Sequence, residues 1–275
     1  MPLWSLAKIE LYKISRQKYS YILILFVVFN AALVGIGSRV FPAILSAMRG
    51  EGGGSFDGYT FASIIASGTF SSAGAGTLAM LAFSGSMIAS ETDSGTLKNI
   101  LVRPVRRGQF VLSKALALFF YCLVIVIVTA ILSVVAGSLF YGLGDRVIPE
   151  TGEVFRTRAQ MFGNLGVAYL MDLFSIYTVG CLGLFLSVLI NNTGWAVITS
   201  LVLYFPIMFL KNFEIFSPWI FTAYMDKGQY ILRGMAILPS VTWAPEIYYF
   251  FAVTVPTIAV FLGLSLIFFN KKEVQ

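Results

Sequence analysis

Apolar residues gather in six long runs along this chain, over residues 19–38, 60–89, 116–140, 165–190, 195–210 and 247–269. About 20 consecutive apolar residues make a helix long enough to cross the hydrocarbon core of a bilayer. The pattern therefore predicts an all-α integral membrane protein with six transmembrane helices. The second run exceeds that need and predicts tilting or projection beyond the bilayer; the fifth is the shortest and contains Pro206. Ahead of the first run, Trp4, Ala7, Leu11 and Ile14 recur at helical spacing, with Lys8, Lys13 and Arg16 on much of the opposite face. That periodicity predicts an amphipathic interfacial helix over residues 1–18. A plain juxtamembrane anchor accounts for the same residues equally well.

The polar stretches set the orientation. Lys8, Lys13, Arg16 and Lys18 precede the first run; Lys98, Arg103, Arg106, Arg107 and Lys114 follow the second; Lys271 and Lys272 follow the sixth. An even number of crossings puts all of these on one side. Few acids (Glu10, Glu91, Asp93, Glu273) lie among them, whereas the opposite loops mix both signs. Positive charge is retained on the cytoplasmic side of membrane proteins, so both termini are expected there.

Composition agrees. The chain has 275 residues, 58% hydrophobic and 12% charged, with a mean hydropathy of +0.85. No stretch is polar enough to fold separately in water, so residues 1–275 read as one transmembrane domain with short loops. The net charge of +6 is explained by the orienting loops; no nucleic-acid partner is expected, because no basic-aromatic surface or nucleic-acid motif occurs. Histidine is absent, which removes the commonest general base and metal ligand. Cys122 and Cys181 lie in apolar runs, where cysteine behaves as a small hydrophobe. No catalytic, cofactor-binding or metal site is expected, and no cleavable signal peptide is evident. No lysine is followed by Ser or Thr, so no Walker A motif exists and the glycine-rich stretch 50–58 reads as a flexible external connector. The external segment 211–246 is aromatic and punctuated by Pro218, Pro239 and Pro245, which predicts short interfacial helices or an aromatic belt.

The most informative stretch runs from Glu91 to Lys114. Asp93 and Ser94 are candidate N-caps and Gly95 eases the turn. Leu97, Ile100 and Leu101 fall at i, i+3 and i+4, which predicts a short helix with one apolar face, and Pro104 pushes Arg103 out of helical geometry. Such a helix, flanked by charge at the inner surface, suits docking to a soluble partner. A tight turn whose arginines pair with lipid phosphates fits the same residues, and the residues alone leave the two readings level.

This stretch resembles the signature of the ABC-2 permease family, the membrane subunits of one class of ATP-binding-cassette exporters. The resemblance rests on Glu91, Gly95-Thr96-Leu97-Lys98, Ile100-Leu101, Arg103-Pro104, Arg106-Arg107 and Lys114, in that order and at that membrane position. Elsewhere it is architectural. It implies that residues 91–107 form the coupling segment, with Asp93–Arg103 as a helix seated in a cleft of an ATPase subunit. Glu91, Lys98, Arg106 and Arg107 would be polar contacts or lipid anchors. It further implies two copies of an ATP-binding subunit carrying ATP and Mg, and a second permease copy or a homologous permease. The setting would be the cytoplasmic membrane of a prokaryote, and export is implied only by this resemblance.

The substrate route is less determined. Gly68, Ser72 and Gly76 stand at i, i+4 and i+8, a spacing that allows close helix approach within the chain or between chains. The family plan puts the second and fifth spans at the dimer interface, so Phe61, Tyr204, Phe205 and Phe209 are candidate lining or gate residues. An apolar, aromatic route favours peptide, antimicrobial or lipid-like cargo. Asp172 is an intramembrane acid near the outer end of the fourth span; it is a candidate proton or cation site, or a partner for Arg156 or Arg158. It keeps a stand-alone secondary transporter or channel as the alternative. A membrane enzyme has no catalytic constellation to rest on, and an inert anchor or immunity factor leaves the 91–107 segment without purpose.

Overall fold

The computed structural model describes residues 3–49, 57–97, 106–147, 154–238, 240–243 and 245–272. Among these, six segments are long and apolar enough to cross a membrane. The first is α2 (Lys18–Arg49), and the second combines α3 (Gly58–Phe70) with α4 (Ala75–Asp93). The third to fifth are α5 (Arg107–Tyr141), α6 (Arg158–Leu189) and α7 (Thr193–Leu210). The sixth is α9 (Glu246–Lys271), preceded by the short α8 (Lys227–Ile237). The amphipathic helix α1 (Leu3–Arg16) opens the chain. A small antiparallel pair, β1 (Arg146–Val147) and β2 (Val154–Arg156), lies in the connection from α5 to α6, with Arg146 opposite Arg156. Helix α1 and the end of α9 both lie beside the start of α5, at the end of the bundle termed the terminal end; the other is the far end.

The centre of the bundle is α4 against α6. Gly183 faces Ser84 so closely that a Cβ there would collide with the Ser84 hydroxyl, and Gly85 likewise faces Ser200 of α7. Small residues let these backbones approach, where packing rather than water exclusion holds spans together. The approach is close enough for Ser187 Oγ of α6 to accept from the backbone N–H groups of Ile88 and Ala89, each at 2.9 Å. The outer spans show the complementary pattern: Leu25 and Phe29 of α2, Val202 and Phe205 of α7, and Val260 of α9 are exposed apolar side chains.

The second span differs from the sequence expectation of one long helix. It breaks over residues 71–74, between α3 and α4. The local sequence from Gly68 to Gly76 is rich in Gly, Ser and Thr, which favour helix ends and turns over helix interiors. The carbonyl freed at Ser71 accepts from Thr77 Oγ1 at 2.9 Å, and Lys211, just past the end of α7, donates to Ser72 Oγ at 2.7 Å. Broken backbone at membrane depth is tolerated when the protein itself supplies such partners. Gly68, Ser72 and Gly76 consequently do not form one helical stripe. Gly68 packs on Val34 of α2, and a Cβ on Gly76 would meet Phe70 and the Thr69 carbonyl.

The segment between α7 and α9 folds into 3-10 turns at Ser217–Trp219 and Phe221–Ala223, followed by α8. Arg233 of α8 donates to Ser63 Oγ at 3.2 Å and to Ser67 Oγ, fastening this helix to α3.

Candidate functional site

At the terminal end, α1, α4 and α5 meet around four charges. Helix α1 turns Ala7, Glu10 and Ile14 inward, a spacing of i, i+3 and i+7 that places one acid on an otherwise apolar face. Glu91 lies in the last turn of α4, and Lys114 lies two turns into α5. Lys13 contacts Glu10 Oε1 at 3.0 Å and Glu91 Oε1 at 2.5 Å. Lys114 contacts Glu10 Oε2 at 3.0 Å and Glu91 Oε1 at 3.0 Å. Each ammonium therefore touches both carboxylates, and the ion pairs close into a ring.

Three members of the ring are buried, Lys114 at 1% exposed, Glu10 at 8% and Glu91 at 9%, while the Lys13 side chain is 38% exposed. Burying charge costs several kcal/mol per ion unless partners compensate. Here the alternation of signs supplies them, and the Lys114 ammonium also lies 5.0 Å from the Phe110 ring centroid. Burial pushes the Glu10 carboxyl up, but Lys114 and Lys13 outweigh it and hold the group below its usual range. Burial pushes Lys13 down; its hydrogen bond to Glu91 and the charges of Glu10 and Glu91 overcome that and hold it above the usual lysine value. Below the ring, Tyr19, Phe83 and Tyr121 stack, and the Tyr121 hydroxyl donates to the Ser20 carbonyl at 3.0 Å.

Further ties join the remaining spans at this end. Asp93 Oδ2 accepts from the N–H and hydroxyl of Thr193 at 3.2 and 3.0 Å, linking the end of α4 to the start of α7. Arg107 donates to the carbonyls of Asn270 and Lys272 at 3.2 and 2.8 Å, linking the start of α5 to the end of α9. Lys272 Nζ donates to the Val188 carbonyl at 2.6 Å, linking the end of α9 to α6.

Several sequence-stretch assignments move accordingly. Asp93 ends α4 and Ser94 is its C-cap, with Ser94 Oγ bonded to the Ser90 carbonyl at 2.7 Å, and helix resumes at residues 96–97. Gly95 makes the turn with φ +70, a conformation that costs any residue with a Cβ. Thr96 Oγ1 donates back to the Glu91 carbonyl at 3.3 Å. Leu97 is 1% exposed and packs in the chain's own core, so its side chain is not on a docking face. Lys98, Ile100, Leu101, Arg103 and Pro104 lie outside the described residues. Arg106 is exposed and precedes α5, and Arg107 opens it.

At the far end, Phe61 and Tyr204 are buried inside the chain, 4% and 0% exposed, and the Tyr204 hydroxyl lies 3.1 Å from the Met225 sulfur. Phe205 and Phe209 are 50% and 62% exposed. Asp172 does not reach the interface or an arginine: it is 1% exposed and accepts at 2.5 Å from Gln229 Nε2 of α8. Arg156 instead donates to the carbonyls of Met235 and Val241.

A family model described as "ABC-2 family transporter protein" matches residues 6–206. The chain belongs to the ABC-2 family of transporter proteins. Two similar curated proteins come from Bacillus subtilis (strain 168). "Uncharacterized protein YhcI" is 24% identical over 164 residues, covering 55% of this chain and 52% of the relative. "Uncharacterized membrane protein YdbK" is 28% identical over 166 residues, covering 56% of this chain and 64% of the relative. The matches thus span about half to two thirds of those relatives' length. Within this ABC-2 chain, all four ring charges fall inside the matched range, whereas Gln229 and Arg233 fall beyond it.

The ring as a unit escaped the sequence reading. Glu91 and Lys114 stood out, but their partners are separated from them by 78 and 104 positions. The available signal was Glu10 itself, an acid on the same helical face as Ala7 and Ile14.

Proposed function

We propose that this chain is the membrane subunit of an ATP-driven exporter, powered in trans by a nucleotide-binding subunit docked on residues 91–107. The observation that carries the reading is the ring of Glu10, Lys13, Glu91 and Lys114. It fuses both helices that bracket the connecting segment to α1, so a push on that segment moves α1, α4 and α5 as a unit. Asp93 and Arg107 extend the same push to α7 and α9. A rigid-body displacement of this kind is how such coupling reaches a distant cavity.

In this reading both termini and the segment face the cytoplasm, two ATPase copies hold ATP and Mg, and a second permease meets this one along α7. Trp195, Val202, Phe205 and Phe209 form the exposed apolar face available there, which favours peptide, antimicrobial or lipid-like cargo. Asp172 serves as the clamp that seats α8, through Gln229.

The test is purification of the tagged chain in mild detergent from its native host, with an ATPase assay. The docking probe is Leu101→Asp; Leu97 is buried and unsuited to the purpose. The expected result is a Walker-A-containing subunit that copurifies with ATPase activity and is lost from the variant. A wild-type chain that purifies alone and hydrolyses nothing overturns the reading.

A further inference from the structure

Helix α8 meets α6 through two buried polar side chains, Gln229 and Asp172, 0% and 1% exposed. Gly228 permits the approach: a Cβ there would sit 3.1 Å from Met171 Cβ and 3.2 Å from the Ala168 carbonyl oxygen. Gln229 Nε2 donates to Asp172 Oδ2 at 2.5 Å. The other edge of the amide is left over. Gln229 Oε1 is buried, and no donor reaches it among the described residues. An acceptor in that condition keeps its full desolvation penalty.

The ionisable groups around the pair do not supply the donor. Asp172 makes no ion pair among the described residues. The charge acting on it is that of a second acid, Asp226, which precedes α8. Tyr169, one turn back on α6, has its hydroxyl engaged with Ser133 of α5, and the Tyr204 hydroxyl of α7 lies against Met225. The cations of this end are committed elsewhere: Lys211 to Ser72, Lys227 to Glu246, Arg233 to Ser63 and Ser67, and Arg156 to two carbonyls.

An ionised Asp172 is thus a buried carboxylate beside another acid, a state that a buried group avoids by taking up a proton. Turning the amide over does not help, because Oε1 would then face a carboxylate oxygen and Nε2 would lose its acceptor. One added proton resolves both defects. A carboxylic acid presents one O–H donor and one C=O acceptor, the complement of the C=O and N–H of a primary amide.

We propose that Asp172 is held protonated, its Oδ1–H donating to Gln229 Oε1 while Gln229 Nε2 donates to Oδ2, so that a proton latches the first turn of α8 onto α6. Arg233, farther along α8, fastens to α3 separately. When α8 lifts, water reaches Asp172 and the proton leaves. The docked state therefore binds one proton more than the released state wherever a wetted carboxyl is ionised. Docking is strongest below the ordinary carboxyl range and weakens as pH rises, by about tenfold per pH unit, until the docked acid itself ionises. The assignment does not depend on ATPase coupling.

The experiment uses the full chain in lipid nanodiscs. The infrared difference between wild type and Asp172→Asn at neutral pH is expected to show the C=O stretch of a protonated carboxylic acid, shifted in D2O. In Gln229→Leu the same stretch moves to that of an acid without a partner, which keeps the test intact where Asp172→Asn fails to fold. Carboxylate stretches in place of the acid band overturn the proposal. A second readout follows release of α8 by thiol labelling of Leu232→Cys, a fully buried position on that helix; both native cysteines are buried. Dividing its labelling rate by the rate in the same chain carrying Asp172→Asn cancels the titration of the thiol. That ratio is expected to rise about tenfold per pH unit through neutrality, and a flat ratio overturns the latch.

Discussion

Replacing Lys114 by methionine keeps the length and apolar stem of the side chain and removes its charge. The side chain is 2% exposed and contacts Glu10 and Glu91, each at 3.0 Å. Without it, Glu10 Oε2 loses its partner and Lys13 alone faces both carboxylates, leaving one uncompensated negative charge out of water. Breaking a buried pair from one side costs about 3–5 kcal/mol. Glu10→Gln alone strands positive charge by the same logic. The double variant Glu10→Gln/Lys114→Met restores neutrality and leaves Lys13 bonded to Glu91 at 2.5 Å. It is therefore expected to lose about 2 kcal/mol less than the sum of the two single variants, within the range seen for residues sharing one network. The assay is reversible unfolding in mixed detergent micelles, followed by tryptophan fluorescence, on all four corners of the cycle. Single losses that simply add, to within about 0.5 kcal/mol, refute the ring as a cooperative unit.

Three further outcomes follow from the geometry. Glu10 is held below its ordinary 4.5 and Lys13 above its ordinary 10.5. The Glu10 contribution is full above 4.5 and lost as pH falls through its lower folded value; that of Lys13 is full below 10.5 and lost as pH rises through its higher folded value. Docking of α1, read from Trp4 fluorescence with the other tryptophans replaced by phenylalanine, should thus be flat across that window, and a titration midpoint inside it contradicts the assignment. Asp172→Asn preserves an acceptor for Gln229 and should leave both stability and transport near wild type, whereas Asp172→Ala orphans the amide and costs about 1–3 kcal/mol; transport abolished in a stably folded Asp172→Asn favours an ion-carrying role. Gly183→Val drives a methyl into Ser84 and should cost about 1–3 kcal/mol by overpacking, measured by thermal melting, with no change expected if α4 and α6 are further apart than described.

The spans were readable because hydropathy over about 20 residues is a local property, and the observed helices enclose or closely follow the apolar runs. What separated sequence from structure was of two kinds. The break at residues 71–74 was written in Gly68, Gly74 and Gly76, but the mean hydropathy of the run stays high through it, and hydropathy is blind to backbone geometry. The ring and the Asp172–Gln229 pair are non-local: nothing in the neighbourhood of Asp172 says that its partner arrives from α8. Leu97 shows a third difficulty, since an i, i+3, i+4 pattern identifies an apolar face without saying whether the chain's own core or another subunit covers it.

The interruption between α3 and α4 divides what the protein must conserve from what it is free to vary. On the terminal side, α4 is committed on several faces: to Lys13 and Lys114 through Glu91, to α6 through Ser84 and the Ser187 hydroxyl, and to α7 through Gly85 and Asp93. On the far side, α3 answers to α8 through Arg233 and to α2 through Gly68. With a short turn between them, closed by the Gly74 N–H on the Ser71 carbonyl at 2.8 Å, a substitution that re-tilts α3 need not rotate α4. Lineages of this architecture can accordingly remodel the far end while the terminal end keeps its register, so descent should show two tempos of sequence change along a single span, with the boundary at residues 71–74.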